Sequence, residues 1–135
     1  MFRYVYDLFL VLLALCVFPK LFWKKYRRSL RDRLGLKSPH FSLPTEGKRI
    51  WIHAVSVGEA KAVVPLVHEI QKQIPGAVIF FSTTTETGRS EAKRSLPHLY
   101  GYFLLPFDFS WIVRSLVKRL RPDVLILVES DFWYL

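Results

Sequence analysis

Four short runs, apolar at nearly every position, recur at 50–55 (IWIHAV), 77–81 (AVIFF), 102–105 (YFLL) and 123–128 (DVLILV). Apolar residues at every position, rather than at alternate ones, mark strands buried on both faces, as in parallel sheets covered by helices. The intervals between the runs carry helical spacing. Across 59–74 the positions Ala62, Val63, Leu66, Val67, Ile70 and Ile74 recur as one helix face until Pro75-Gly76 stops it. The polar turn Thr83-Thr84-Thr85-Glu86-Thr87-Gly88 leads into a second helical stretch over 89–95. Asp108 or Ser110 is placed to cap a third, with Ile112, Val113, Leu116, Val117 and Leu120 along one side and Pro122 at its end. The order β-α-β-α-β-α-β predicts an α/β fold with a Rossmann-like parallel sheet.

That topology locates a site before any chemistry is considered. Ligands bind beyond the carboxyl ends of parallel strands. Here those ends are Ser56-Val57-Gly58-Glu59, the Thr-rich turn, Pro106-Phe107-Asp108 and Glu129-Ser130-Asp131, so four polar clusters share one rim. Gly58 permits a sharp strand-to-helix turn and a close approach of backbone amides to a ligand. Glu59 falls in a first helical turn, where the helix dipole favours a carboxylate able to accept a proton. It also reads as an ordinary acidic helix start. Thr84, Thr85, Thr87 and Gly88 offer hydroxyls and amides to a phosphate or a sugar, or simply cap the next helix. Glu129 and Asp131, two apart, point the same way if the strand continues, and either bind a sugar hydroxyl or an amine or end the strand. His53 lies within an apolar strand and reads as a core histidine. No G-x-G-x-x-G follows a strand and no P-loop motif occurs, so dinucleotide and nucleoside-triphosphate readings fail. No His/Cys/Asp grouping suggests a metal, and the single cysteine, Cys16, excludes an internal disulfide framework.

The charge is unevenly spread. Of a net +9, residues 1–49 hold eleven Lys and Arg against three acids, whereas 50–135 hold nine against eight. Within the basic part, 8–18 (LFLVLLALCVF) is an unbroken apolar run, and 4–23 spans about 30 Å as a helix, the thickness of a bilayer core. A cleaved signal peptide fits the length, but only Arg3 precedes the run and no small-x-small site follows it. A buried core helix and a membrane anchor, spanning or lying in the interface, both remain, and the flank favours the anchor. Lys20, Lys24, Lys25, Arg27, Arg28, Arg31, Arg33 and Lys37 crowd after the run together with Phe22, Trp23 and Tyr26. Basic residues past an apolar segment mark the cytoplasmic side, aromatic ones settle at headgroup level, and the cluster attracts anionic lipid or phosphate. The near-neutral body and the lack of any nucleic-acid motif argue against nucleic acid as partner. The chain therefore divides into an anchor (1–23), a basic juxtamembrane segment and linker (24–49) and a body (50–135). Residues 131–135 follow the fourth strand with no covering helix, which predicts that the body is incomplete and the chain the N-terminal piece of a larger protein.

I-W-I-H-A-V-S-V-G-E at 50–59, S-T-T-T-E-T-G at 82–88, L-P-F-D at 105–108, R-P at 121–122 and E-S-D-F-W at 129–133 occur in that order, behind an apolar segment with Arg33-Leu34-Gly35 in its basic flank. Together they closely resemble the start of the 3-deoxy-D-manno-octulosonic acid (Kdo) transferases of Gram-negative bacteria. The resemblance implies the N-terminal half of a two-domain GT-B glycosyltransferase that is membrane-associated and needs neither metal nor cofactor. It implies transfer of Kdo from CMP-Kdo to a lipid A precursor with inversion, at the cytoplasmic face of the bacterial inner membrane, in lipopolysaccharide biosynthesis. Glu59 would then be the general base, and Ser56, Val57, Gly58, Thr84, Thr85, Thr87, Gly88, Glu129 and Asp131 would hold the acceptor. Two departures stand out. Asp131 occupies the place of the second Glu in the family's E-T-E-L-W motif, shortening the carboxylate's reach by about 1.5 Å, and Phe132 replaces Leu. The family's T-M-T-x-T-G pattern also carries Thr for Met here. The donor-binding domain lies outside these 135 residues, so alone they are expected to be inactive. The rival expectation is a non-catalytic, membrane-anchored glycolipid-binding module, or a gene fragment without function.

Overall fold

The computed structural model describes Leu8, Phe9, Val11, Leu12, Arg33, Pro44 and residues 46–128. The elements run β1 (Arg49–Ala54), α1 (Val57–Ala62), α2 (Val64–Gln73), β2 (Val78–Thr83), α3 (Glu86–Ser95), β3 (Gly101–Leu104), α4 (Ser110–Leu120) and β4 (Val124–Val128). All four strands pair in parallel, in the order β3-β2-β1-β4. In register, His53 of β1 stands between Ser82 of β2 and Leu127 of β4. The expected α/β fold is present.

Alternation along the strands builds two cores. Ile50, Ile52 and Ala54 turn to one face, where they meet Ile79, Phe81, Ala60 of α1, Val63, Val67 of α2, and Ala92 and Leu96 at α3. Trp51 turns to the other and packs with Val78, Phe80, Phe103, and Leu116 and Leu120 of α4. Burying a phenylalanine such as Phe80 or Phe81 stabilises the fold by roughly 1.5–3 kcal/mol, and both are essentially inaccessible. Both faces of β1 and β2 are therefore dry, as their unbroken apolar character requires. β4 lies at the sheet's edge, and Val124, Leu125 and Leu127 are exposed.

The helices depart from the expected pattern in three places, the first being the helix expected over 89–95, which already begins at Glu86 within the expected polar turn. The single helix expected over 59–74 is two, α1 and α2, meeting at Val63. Pro65 sits in the first turn of α2, where a missing N–H costs nothing, whereas one continuous helix would have needed that donor. Ala62, Leu66 and Ile74, expected on the apolar face, are consequently exposed. In α4 the N-cap position falls on Phe109, which has no capping side chain, and Ser110 is already the first helical residue. At the other end Arg121, kept out of the helical region by Pro122, takes a left-handed φ of 46°.

Leu8, Phe9, Val11 and Leu12 are helical and exposed. Among the described residues no helix is long and apolar enough to cross a membrane. Of the basic flank, Lys20, Lys24, Lys25, Arg27, Arg28 and Arg31 lie outside the described residues. Arg33 is described, and it reaches the body. Its Nε donates to Leu105 O at 3.2 Å, its guanidinium lies 4.7 Å over the Phe107 ring, and its own carbonyl accepts from Phe107 N–H at 2.9 Å.

Candidate active site

Parallel strands send all their carboxyl ends to one edge, and the strand order places a switch point there. The chain steps β1 to β2 to β3 in one direction, then returns through α4 to place β4 on the far side of β1. The strand order therefore reverses at β1, and such a switch point is where α/β sheets place a ligand crevice, beyond the carboxyl ends of the strands. The residues at the end of β1 face it.

The turn leaving β1 is held by Ser56 and Glu59. Ser56 is the N-cap of α1, with extended backbone, and its Oγ accepts from Glu59 N–H at 3.2 Å. The same hydroxyl donates to Glu59 Oε1 at 2.9 Å, while Val55 N–H donates to Glu59 Oε2 at 2.5 Å. This is a capping box displaced by one residue: Ser56 caps Glu59 N–H, and the Glu59 carboxylate in return accepts from the Ser56 hydroxyl and from Val55 N–H rather than from Ser56 N–H. A carboxylate has about four acceptor positions, and two are filled here. The half-exposed Glu59 keeps the others for a ligand. Gly58 does not play the expected conformational part, because its φ lies outside the left-handed region. What it provides is room: a side-chain carbon there would meet only Ser56 Oγ, at 3.8 Å. Val57 and Gly58 form the first turn of α1 beside it.

The Thr-rich turn is brought against the first by one bond, Thr84 Oγ1 donating to Val55 O at 2.8 Å. Its other hydroxyls look inward. Thr85 caps α3 by accepting from Gly88 N–H at 3.1 Å and from Thr87 Oγ1 at 3.3 Å, and Thr83 Oγ1 donates to Thr85 O at 3.0 Å. Gly88 is needed for closeness, since a Cβ would come within 3.1 Å of Thr85 Oγ1 and 3.3 Å of Thr83 Cβ. Thr85 and Thr87 remain exposed on the rim. The turn is thus a rigid helix cap first, with its outer faces left to a ligand.

His53 completes the end of β1. Its Nδ1 lies 2.9 Å from Ser82 Oγ and 3.2 Å from Ser82 O, and Trp51 Nε1 donates to the same Ser82 Oγ at 2.7 Å. Burial pushes the imidazole below its usual range, opposed by the Ser82 carbonyl and the Glu59 charge. From β3, Arg33 lies beside Leu105 and Phe107, so a residue of the basic flank belongs to the rim although sequence spacing did not put it there. Only Arg33-Leu34-Gly35 hinted at it. Its half-buried guanidinium is desolvated, which lowers its pKa. Glu129 and Asp131 lie outside the described residues, which end at Val128, the register partner of Ala54.

A protein family described as 3-deoxy-D-manno-octulosonic-acid transferase (kdotransferase) matches residues 28–135. Curated relatives carry the name 3-deoxy-D-manno-octulosonic acid transferase. The chain is 36% identical to that of Chlamydia pneumoniae over 98% of its own length and 31% of the relative's. It is 32% identical to that of Haemophilus influenzae over 98% of itself and 32% of the relative. Identity to that of Rickettsia conorii is 30%, over 77% of the chain and 23% of the relative. The chain thus spans about a third of the length of the first two. No solved structure matches at a significant level.

Proposed function

The chain belongs to the 3-deoxy-D-manno-octulosonic-acid transferase family, and we propose that it forms the acceptor-binding part of a glycosyltransferase moving Kdo from CMP-Kdo to a lipid A precursor. One observation carries this reading. The Glu59 carboxylate is fixed at the crevice beyond β1 by Val55 N–H and Ser56 Oγ and retains free lone pairs beside the space left by Gly58. A general base needs that combination of fixed position and open acceptor capacity.

In this reading the acceptor sugar lies across the two tied turns, with Ser56, Val57, Gly58, Thr84, Thr85, Thr87, Gly88, Glu129 and Asp131 around it. Glu59 takes the proton of the attacking hydroxyl as its oxygen bonds to the anomeric carbon of Kdo. The bond from that carbon to the CMP phosphate breaks on the opposite side, so the configuration inverts and CMP leaves. In this reading the transfer uses neither metal nor cofactor. The body (50–135) is the Rossmann-like N-terminal half of a GT-B pair, and CMP-Kdo binds to a further domain.

Residues 1–23 act as an anchor and 24–49 as a basic collar at the cytoplasmic face of the inner membrane. The exposed apolar side chains of Leu8, Phe9, Val11 and Leu12 support this, as do the Lys20, Lys24, Lys25, Arg27, Arg28 and Arg31 charges, which suit anionic lipid and glycolipid phosphates.

A second reading draws on the capping box itself, because Glu59 already has a structural task. A membrane-anchored glycolipid-binding module would use it for nothing else. The two readings separate in a transfer assay with radiolabelled CMP-Kdo, run on these residues joined to a donor-binding domain. Glu59→Gln is expected to keep acceptor binding while transfer falls by about 10²–10⁴-fold. Unchanged transfer would reject the base assignment, and turnover by the 135 residues alone would reject the division of labour.

A further inference from the structure

Arg33 is fastened to the rim at three points. Its carbonyl accepts from Phe107 N–H at 2.9 Å, its Nε–H donates to Leu105 O at 3.2 Å, and its guanidinium lies 4.7 Å over the Phe107 ring. Leu105 and Phe107 follow β3, and Leu105 N–H donates to Thr83 O at the end of β2. The cation therefore stands beyond the carboxyl end of β3, next to the Thr-rich turn. A guanidinium has five N–H donors. One is spent on Leu105, and among the described residues those on Nη1 and Nη2 have no partner. No described carboxylate pairs with it either, and burial alone moves its pKa. Charges taken out of water are ordinarily paired, because an unpaired one is costly. An anionic ligand at the rim would supply the missing charge.

We propose that Arg33 is an acceptor-binding residue, whose Nη groups grip a phosphate monoester carried by the acceptor glycolipid beyond the carboxyl end of β3. This rests on the acceptor-binding reading above and adds to it a charged group that is read away from the reacting hydroxyl. β3 stands two strand spacings from β1, roughly 10 Å. The donor sugar's own carboxylate, bonded to the anomeric carbon, cannot lie that far from a hydroxyl held at Glu59, so the anion at Arg33 belongs to the acceptor. The planar fork of a guanidinium meets two phosphate oxygens at once, where an ammonium would act as a point charge. The Leu105 and Phe107 contacts hold that fork in place before the ligand arrives, which lowers the ordering cost of binding.

The test uses the 135-residue chain at an ionic strength that screens the basic collar, with three sets of phosphatidylcholine vesicles. One carries lipid A precursor, one the same precursor stripped of its phosphates, and one phosphatidic acid, whose phosphate monoester sits on a phospholipid. The chain is expected to bind the phosphorylated precursor at least about tenfold more tightly than the stripped one, the size of a charged hydrogen bond. Arg33→Gln is expected to erase that difference while binding the stripped precursor as the unsubstituted chain does. A chain that binds both precursors alike, or a folded Arg33→Gln that keeps the preference, would overturn the proposal and leave the acceptor-binding reading intact. An equal loss by Arg33→Gln on phosphatidic acid would overturn it too, by making Arg33 a contact to the lipid surface. A chain that binds neither precursor overturns both. If Arg33→Gln does not fold, the guanidinium ¹⁵N resonances of Arg33 in the unsubstituted chain decide, measured in phosphatidylcholine bicelles. They are expected to shift with the phosphorylated precursor and not with the stripped one, and the same response to the two overturns the proposal.

Discussion

At the scale of single residues, one side chain at this rim does two jobs. Ser56 caps α1 and orients Glu59, so Ser56→Ala is expected to cost about 1 kcal/mol of stability and to loosen the carboxylate. A urea unfolding midpoint that does not move would show the cap to be dispensable. His53 gives a pH signature. Its imidazole is held below the ordinary value of 6.5 by burial, so the unfolded chain binds a proton that the folded one refuses. Its stabilising contribution is complete above about pH 6.5 and is lost as pH falls through the depressed folded value. Urea midpoints measured between pH 7.5 and 5 are expected to fall more steeply for the unsubstituted chain than for His53→Asn, and parallel curves would deny the shift. Sequence made Glu59 legible, because its place in the first helical turn after an apolar run is local. His53 was legible only by half. Its place in an apolar strand marks a buried ring, but which nitrogen is spent depends on Ser82, 29 residues away.

At the scale of elements, the unbroken apolar runs carried the strands and their parallel sense, since only a sheet covered on both faces tolerates them. Phe81 shows the strength of that constraint. It sits in β2 between β1 and β3 under α1 and α3, and Phe81→Ala is expected to destabilise by about 3–5 kcal/mol through lost burial and a residual cavity. A calorimetric loss below about 1 kcal/mol would mean that this core is not packed as described. Helix ends were less legible. Periodicity extends smoothly across Val63, but Pro65 restarts the hydrogen-bond ladder, a local veto that a pattern of apolar spacings does not register. The tie between the two rim turns, Thr84 to Val55 O, joins separate elements and has no sequence signature. The strand order is the same kind of fact. Nothing local says that β4 returns past β1 to sit on its far side, and that return creates the crevice.

At the scale of the whole molecule, charge is segregated along the chain rather than spread over it. Residues 1–49 hold nearly all of the net +9, and Arg33 couples that segment to the rim through Leu105 and Phe107. A basic collar alone would bind any anionic membrane, with an affinity that fades as salt screens it. The acceptor site predicts something further, a preference that survives screening because it depends on shape and hydroxyl contacts at β1. The most direct measurement is the binding of the 135-residue chain to two sets of vesicles matched in surface charge, one carrying lipid A precursor and the other only anionic phospholipid, as ionic strength rises. The account predicts that the chain leaves the phospholipid vesicles as salt is raised but stays saturably on those with the precursor. Equal release from both would mean that the collar does all the binding and that the crevice beside Glu59 holds no glycolipid.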